Sequence, residues 1–399
     1  MTSQNKKAGA EFIVLVALLT AMVAMSIDVM LPALGDMARD LRAAHPNDRQ
    51  LVLTVFFAGM TLGTLVYGPV SDSFGRKSTI FGGLAIYAAG ALICLFATSF
   101  PALLWGRALQ GLGAAGPRVV SLAMVRDGSS GAAMARVMSF VMSVFMLVPI
   151  LAPSIGQAVL LAADWRWIFV GLLGMASIAA IWLALRQEET LPRDRRLPFS
   201  PKSIWEGMVE AVSTPVTLGY TLAVGAIFGS FITYLATSQQ IFADQYGQGK
   251  LFAVWFGILA VGIAFAMMVN ARLVMRYGMR ALSKWALRAS IALSLGFLAL
   301  SVASGGHPPL WTLGAWLAAT FFCSGILFGN YSAIAMEPMG RIAGIAAATT
   351  GSLSSLVALA IGGAIGLLYD GTVMPLAAAF AGCSIVAFLL TEWAERRRR

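Results

Sequence analysis

Charge is scarce in this chain. Asp, Glu, Lys and Arg supply 12% of its 399 residues, about half the share in ordinary soluble domains. Apolar types make up 59% and the mean hydropathy is +0.80, the balance of an integral membrane protein. Cysteine is almost missing. Cys94, Cys323 and Cys383 lie far apart inside apolar stretches, so they give neither metal-ligand spacing nor a disulfide framework and read as small packing residues. The only histidines, His45 and His307, fall in expected outer loops. With no paired carboxylates inside the apolar runs, the materials for an intramembrane enzyme are lacking: catalytic residues none, metal none. There is no G-x-x-x-x-G-K-[ST] phosphate loop, which weighs against an ATP-driven pump. Gly111-Leu-Gly-Ala-Ala-Gly116 fits G-x-G-x-x-G, but it lies in an apolar run with no strand before it. Glycines there serve close helix packing.

What is present is a series of apolar windows of about twenty residues, the length a helix needs to cross the hydrocarbon layer. Twelve are expected, at 12–34, 50–70, 78–98, 101–125, 136–162, 166–186, 214–236, 250–271, 284–304, 309–333, 342–366 and 374–394. The runs are continuous rather than alternating, which does not suit a polar-lumen barrel. The first run follows Lys6 and Lys7, yet it is long for a secretion signal and carries Asp28. It reads as an uncleaved first span.

Residues 187–213 are polar, charged and proline-bearing. They divide an N-terminal set of six spans (1–186) from a C-terminal set (214–399). The net charge of +10 follows orientation rather than a polyanion. With both termini cytoplasmic, only Arg39, Arg42, Arg49, Arg166 and Lys250 fall on the outer side, the positive-inside bias. No nucleic acid partner is implied. A faint repeat supports the division: Phe74-Gly75 aligns with Tyr277-Gly278, and Lys77 with Arg280, as expected for halves related by an axis along the membrane normal.

Three ionisable side chains sit well inside the spans: Asp28, Arg107 and Arg118. Each costs about 2.5–3.5 kcal/mol near the bilayer centre and needs a partner or water. Asp28 lies six residues before the outer end of span 1, and Arg107 six residues after the outer start of span 4. At about 1.5 Å per residue both sit roughly 9 Å deep, which makes them expected neighbours. One reading is an ion pair that steadies the fold. The other is a proton-coupling pair, because desolvation and a nearby cation act on a carboxylate's proton affinity in opposite senses. Arg118 shares the helix face of Arg107 within about 20°. It either lines a polar pathway or snorkels to the cytoplasmic surface.

Several stretches together resemble the twelve-helix drug:proton antiporters of the major facilitator superfamily, in particular the bicyclomycin and chloramphenicol/florfenicol resistance group. Gly68-Pro-Val-Ser-Asp-Ser-Phe-Gly-Arg-Lys77 is similar to that superfamily's G-x-x-x-D-x-x-G-R-K/R loop between spans 2 and 3. Ile27-Asp-Val-Met-Leu-Pro-Ala-Leu34 resembles the group's D-x-x-L-P-A-L, and Arg107-Ala-Leu-Gln-Gly-Leu-Gly-Ala-Ala115 its R-x-x-Q-G-x-G-A-A, whose arginine is associated with proton coupling. Val125-Arg-Asp127 matches the cytoplasmic end of that helix. Pro149, Pro153 and Gly156 resemble the span 5 proline-glycine motif of antiporters. Asp164-Trp-Arg-Trp-Ile-Phe169 and Ala335-Met-Glu-Pro338 resemble the opening of span 6 and the link after span 10. The chain departs from the pattern at Ser73, where an arginine is usual, at Gln157 after Gly156, and at Leu122, where many relatives have an arginine and this chain has Arg118 instead.

The resemblance implies an all-α membrane protein of two six-helix bundles. It implies proton-coupled efflux of amphipathic drug-like molecules, with proton-coupled uptake on the same fold as the alternative. Gly68, Asp72, Gly75, Arg76, Lys77 and Asp127 would form a cytoplasmic latch, or would merely fix a turn. Tyr234, Gln239, Asn330 and Tyr331, with Arg118, are candidates for contacting the small-molecule substrate, although packing would also explain them. The partners implied are protons and membrane lipid, the cofactor none beyond the proton gradient, and the setting the bacterial inner membrane. A monomer is the default.

Overall fold

The computed structural model describes residues 9–129, 131–196 and 200–398; Lys6 and Lys7 lie outside them. Among the described residues every regular element is helical. In chain order these are α1 (Ala10–Asp28), α2 (Leu34–Asp40), α3 (Leu51–Phe74), α4 (Arg76–Leu95), α5 (Phe100–Gly128), α6 (Gly131–Ala162) and α7 (Arg166–Arg186). They continue with α8 (Pro201–Ser213), α9 (Pro215–Gln239), α10 (Phe252–Tyr277), α11 (Met279–Ala303), α12 (Leu310–Met336), α13 (Ala343–Leu367) and α14 (Met374–Arg398). Twelve of them run 19 residues or more and coincide with the twelve expected spans to within six residues at each end. α5 and α14 are the least apolar of these, α5 because Arg107, Arg118, Arg126, Asp127 and its glycines dilute it and α14 because it ends in a run of arginines.

The chain forms two compact units. One takes the residues up to Ala44 together with Val55–Pro201. The other takes His45–Thr54 together with the chain from Lys202 onward. The ten-residue piece His45–Thr54 packs against the second unit through polar side chains. Asn47 donates to the carbonyls of Leu367 and Tyr369 (2.9 and 2.8 Å). Gln50 donates to Gln240, which in turn donates to Asn47 (2.7 and 2.8 Å). Arg49 spans Gln239 and Asp244 (2.9 and 2.6 Å). Its partners sit where α9 loosens into a π-helical turn, Gln240–Gln245, a widening found mostly at functional positions. Burial pushes the nearby Tyr369 phenol up to about 12, so it stays neutral at ordinary pH.

Glycine sets the packing of the first unit. A β-carbon on Gly111 would strike the carbonyl of Phe56 in α3, and one on Gly113 the backbone of Tyr87 in α4. On α4 itself, a β-carbon at Gly90 would meet the α5 backbone at Gln110 and Gly106. The glycine-rich run of α5 is therefore a packing seam that clamps this helix between α3 and α4. All three cysteines are free and buried.

A one-residue link joins α3 to α4 and another joins α10 to α11. Each is a glycine at positive φ, Gly75 at 101° and Gly278 at 77°, a backbone region that side-chain-bearing residues rarely enter. The repeat seen in the sequence is thus one turn built twice. The polar stretch after α7 also carries structure not expected from its composition: α8 sets Gly207 against Ile345 of α13 and pairs Glu210 with Arg341 (2.7 Å) in the 3-10 turn that precedes α13.

Candidate functional site

Asp28 is the last regular residue of α1. Pro32 lacks the N–H a continuing helix needs, and the chain passes through a 3-10 turn, Leu31–Ala33, before resuming as α2. The side chain is buried, at 5% exposure. Arg107, midway along the N-terminal half of α5, is fully buried. One guanidinium nitrogen donates to Gln110 Oε1 at 2.6 Å and another to the carbonyl of Ser26 at 3.0 Å. Its plane lies over Phe56, 4.3 Å from the ring centre. Ser26 Oγ also shares a hydrogen bond with the Tyr87 hydroxyl (2.7 Å). The arginine therefore reaches the helix of Asp28, but two residues before it and through backbone. Among the described residues no ion pair within 4.0 Å joins Asp28 to Arg107. Gln110 and Tyr87 are the members of this cluster that sequence reasoning missed. Gln110 stood in the quoted motif, three residues from Arg107 and so on the same face.

The third side of Asp28 is α6. Gly156 lies so close that a β-carbon there would collide with the carbonyl oxygen of Val29 and come within 3.0 Å of Pro32. Pro149 and Pro153 both lie inside α6. The proline-glycine motif thus abuts the residue next to Asp28.

At the α3–α4 turn of the same unit, the loop charges converge on Arg76. Its Nη1 pairs with Asp72 and hydrogen-bonds Ser71 Oγ (2.7 Å), while its Nε pairs with Asp127 at 2.8 Å. Arg76 is 7% exposed, whereas the Asp72 side chain remains 44% exposed. Glu189, unnoticed in the sequence, accepts from the free N–H groups of Arg76 and Lys77 (2.8 and 3.1 Å) and so caps α4. Lys77 Nζ donates to the carbonyls of Ala184 and Gln187 at the end of α7 (3.1 and 2.8 Å), a favoured place for a cation. Gly68 borders Ser71, which donates to its carbonyl at 2.8 Å.

The second unit has a counterpart. Arg280, in the first turn of α11, makes two bonds to Glu337 (3.0 and 2.7 Å) and one to Glu395 (2.8 Å). Tyr220 also donates to Glu395 at 2.8 Å. Glu395 gave no signal in the sequence because it sits among the terminal arginines.

The four substrate candidates of this unit are not gathered in one place. Tyr234 is packed among Phe321, Phe256 and Phe231. Gln239 accepts from Arg49. Asn330 exchanges two hydrogen bonds with Asn270 (3.0 and 3.1 Å). Tyr331 lies edge-on to Tyr220 and lines a cavity of about 330 Å³ with Arg280, Ser283 and Arg396. Arg118, in the first unit, directs Nη1 at Met60 Sδ, 3.8 Å away.

The sequence pattern of the Major Facilitator Superfamily matches residues 16–366. The chain belongs to the major facilitator superfamily. It is similar to the uncharacterized MFS-type transporter YdgK of Bacillus subtilis, 30% identical over 94% of this chain and 93% of that one. It is also similar to a bicyclomycin resistance protein homolog of Haemophilus influenzae, 27% identical over 95% and 94% of the two chains. A multidrug resistance protein MdtL of Citrobacter koseri is 27% identical over 82% of this chain and 80% of its own. The fold matches that of the human organic anion transporter MFSD10 (TETRAN), with a TM-score of 0.70 at 19% identity over 96% of this chain and 99% of that one. This chain is therefore a multi-pass membrane transporter rather than an enzyme.

Proposed function

We propose that this transporter exports amphipathic, mainly apolar drug-like molecules across a bacterial inner membrane in exchange for protons, with both termini in the cytoplasm, acting as a monomer. The observation that carries the proposal is the one buried carboxylate among the described residues, Asp28, placed where α1 breaks and flanked by Arg107 and Gly156. A buried acid whose hydration changes between conformations takes up a proton on one side and gives it up on the other. Arg107 holds α1 through Ser26, so movement of α1 against α5 and α6 alters the surroundings of Asp28. The loop around Arg76 acts as a latch whose exposed member is Asp72. The export direction is supported by the relatives named for bicyclomycin and multidrug resistance and by the proline-glycine motif beside Asp28.

The test is growth protection against a panel of antibiotics in cells making the protein, with and without a protonophore. Protection that vanishes with the protonophore is expected. Protection that persists, or none against any amphipathic drug, would reject the proposal. Release from loaded vesicles under an imposed pH gradient separates export from uptake by the sign of coupling.

A further inference from the structure

Arg107 and Arg118 share a helix but not a fate. The guanidinium of Arg107 is occupied by a carbonyl, an amide oxygen and an aromatic face. That of Arg118 has five N–H donors, yet its one side-chain hydrogen bond is to the Met60 thioether at 3.8 Å, a weak acceptor. Among the described residues no carboxylate lies within 4.0 Å of it.

The direction of the side chain matters as much as its partners. α5 runs from Phe100 to Gly128, so its midpoint is near Ala114 and Arg118 is only one turn beyond. Helical side chains lean toward the N-terminus, which in α5 means away from the nearer, cytoplasmic end. The contacts agree. Gly63 of α3 abuts Leu112 and Ala115, and Met60 lies nearly a turn further outward than Gly63. A guanidinium that reaches Met60 therefore sits near the middle of the span. Snorkelling runs the other way, across about 15 Å to the end of the helix, and is excluded. Carriers of this architecture hold their cargo near the midplane. The backbone that presents Arg118 is fixed as well: a β-carbon on Gly83 of α4 would come within 2.8 Å of the Pro117 ring, so the position is pre-organised.

We propose that Arg118 recognises an acidic group on the cargo, so that the preferred substrates are amphipathic molecules bearing a single carboxylate or comparable oxyanion. A planar guanidinium fork fits such groups with two parallel hydrogen bonds. The proposal rests on the export reading and narrows its substrate class.

The test is calorimetric titration of the purified full-length protein in lipid nanodiscs with nalidixate, an aromatic antibiotic carboxylate, and with its neutral carboxamide. The wild type is expected to bind the acid at least tenfold more tightly than the amide. Arg118→Met should erase that preference and Arg118→Lys should keep part of it. Because no protein group loses a charged partner, Arg118→Met should be no less heat-stable than the wild type. Equal affinity for the two probes, no measurable binding of the acid, a preference that survives in Arg118→Met, or a marked fall in that variant's heat stability would each overturn the proposal. The titration uses no proton gradient, so a failure of gradient-driven export would show separately and leave its outcome readable.

Discussion

Arg107 grips the first helix by the carbonyl of Ser26, 3.0 Å away, and leaves the carboxylate of Asp28 without an ion pair to it. The arginine is thereby fixed by Gln110, Ser26 and Phe56 whatever the charge on Asp28. Arg107→Lys loses the fork that reaches two acceptors at once. It should cut gradient-driven transport at least tenfold while the protein remains in the membrane, and vesicle transport assays with a membrane-fraction blot would check this. Wild-type rates would show that the two-point grip is dispensable.

Gly156 has no room for a side chain against Val29 and Pro32. Gly156→Ala must push α6 away from α1 or distort the turn after Asp28, at about 1–3 kcal/mol for overpacking. A lower melting temperature and slowed transport are expected, and Pro32→Ala should not restore function, because the tightest obstruction is the Val29 carbonyl oxygen.

Arg76 joins Asp72 and Asp127 within one unit. Arg76→Met leaves both carboxylates without their cation. A fully buried pair broken this way costs about 3–5 kcal/mol; with Asp72 half exposed, roughly 2 kcal/mol is expected, read as a fall in melting temperature. Asp72→Asn spares Asp127 and should lower turnover more than apparent affinity. If that variant turns over like the wild type, the loop only shapes a turn.

The twelve spans were legible because lipid demands long apolar helices, and the glycine turns because one-residue links leave few alternatives. Relative heights along neighbouring helices were legible too, since helical rise is constant: Arg107 does meet α1 two residues from Asp28. The missing precision was lateral. Depth arithmetic cannot say that a guanidinium will choose the Ser26 carbonyl over a carboxylate two residues away. Nor could it find Glu189 or Glu395, whose roles depend on which helix ends meet. Helix α8 was hidden by the charge and proline of its surroundings, although Trp205, Met208 and Val212 fall on one helical face. Gln239 and Tyr234 stand out in the sequence as polar groups in apolar helices; the pattern does not show that Arg49 and aromatic rings lie against them.

The counterpart in the second unit gives its own test. Arg280 is about a third exposed, so its links to Glu337 and Glu395 are partly screened and together contribute about 1 kcal/mol or less. A double-mutant cycle over Arg280→Gln and Glu337→Gln should return a coupling of that size, well below the effect of Arg76→Met.

The most direct measurement follows protons at Asp28. In proteoliposomes that enclose a pH-sensitive dye, addition of a drug against which the protein protects should drive protons in the opposite sense, and Asp28→Asn should abolish that movement in protein reconstituted at equal density. Drug-driven proton movement at the wild-type rate in Asp28→Asn would contradict the account.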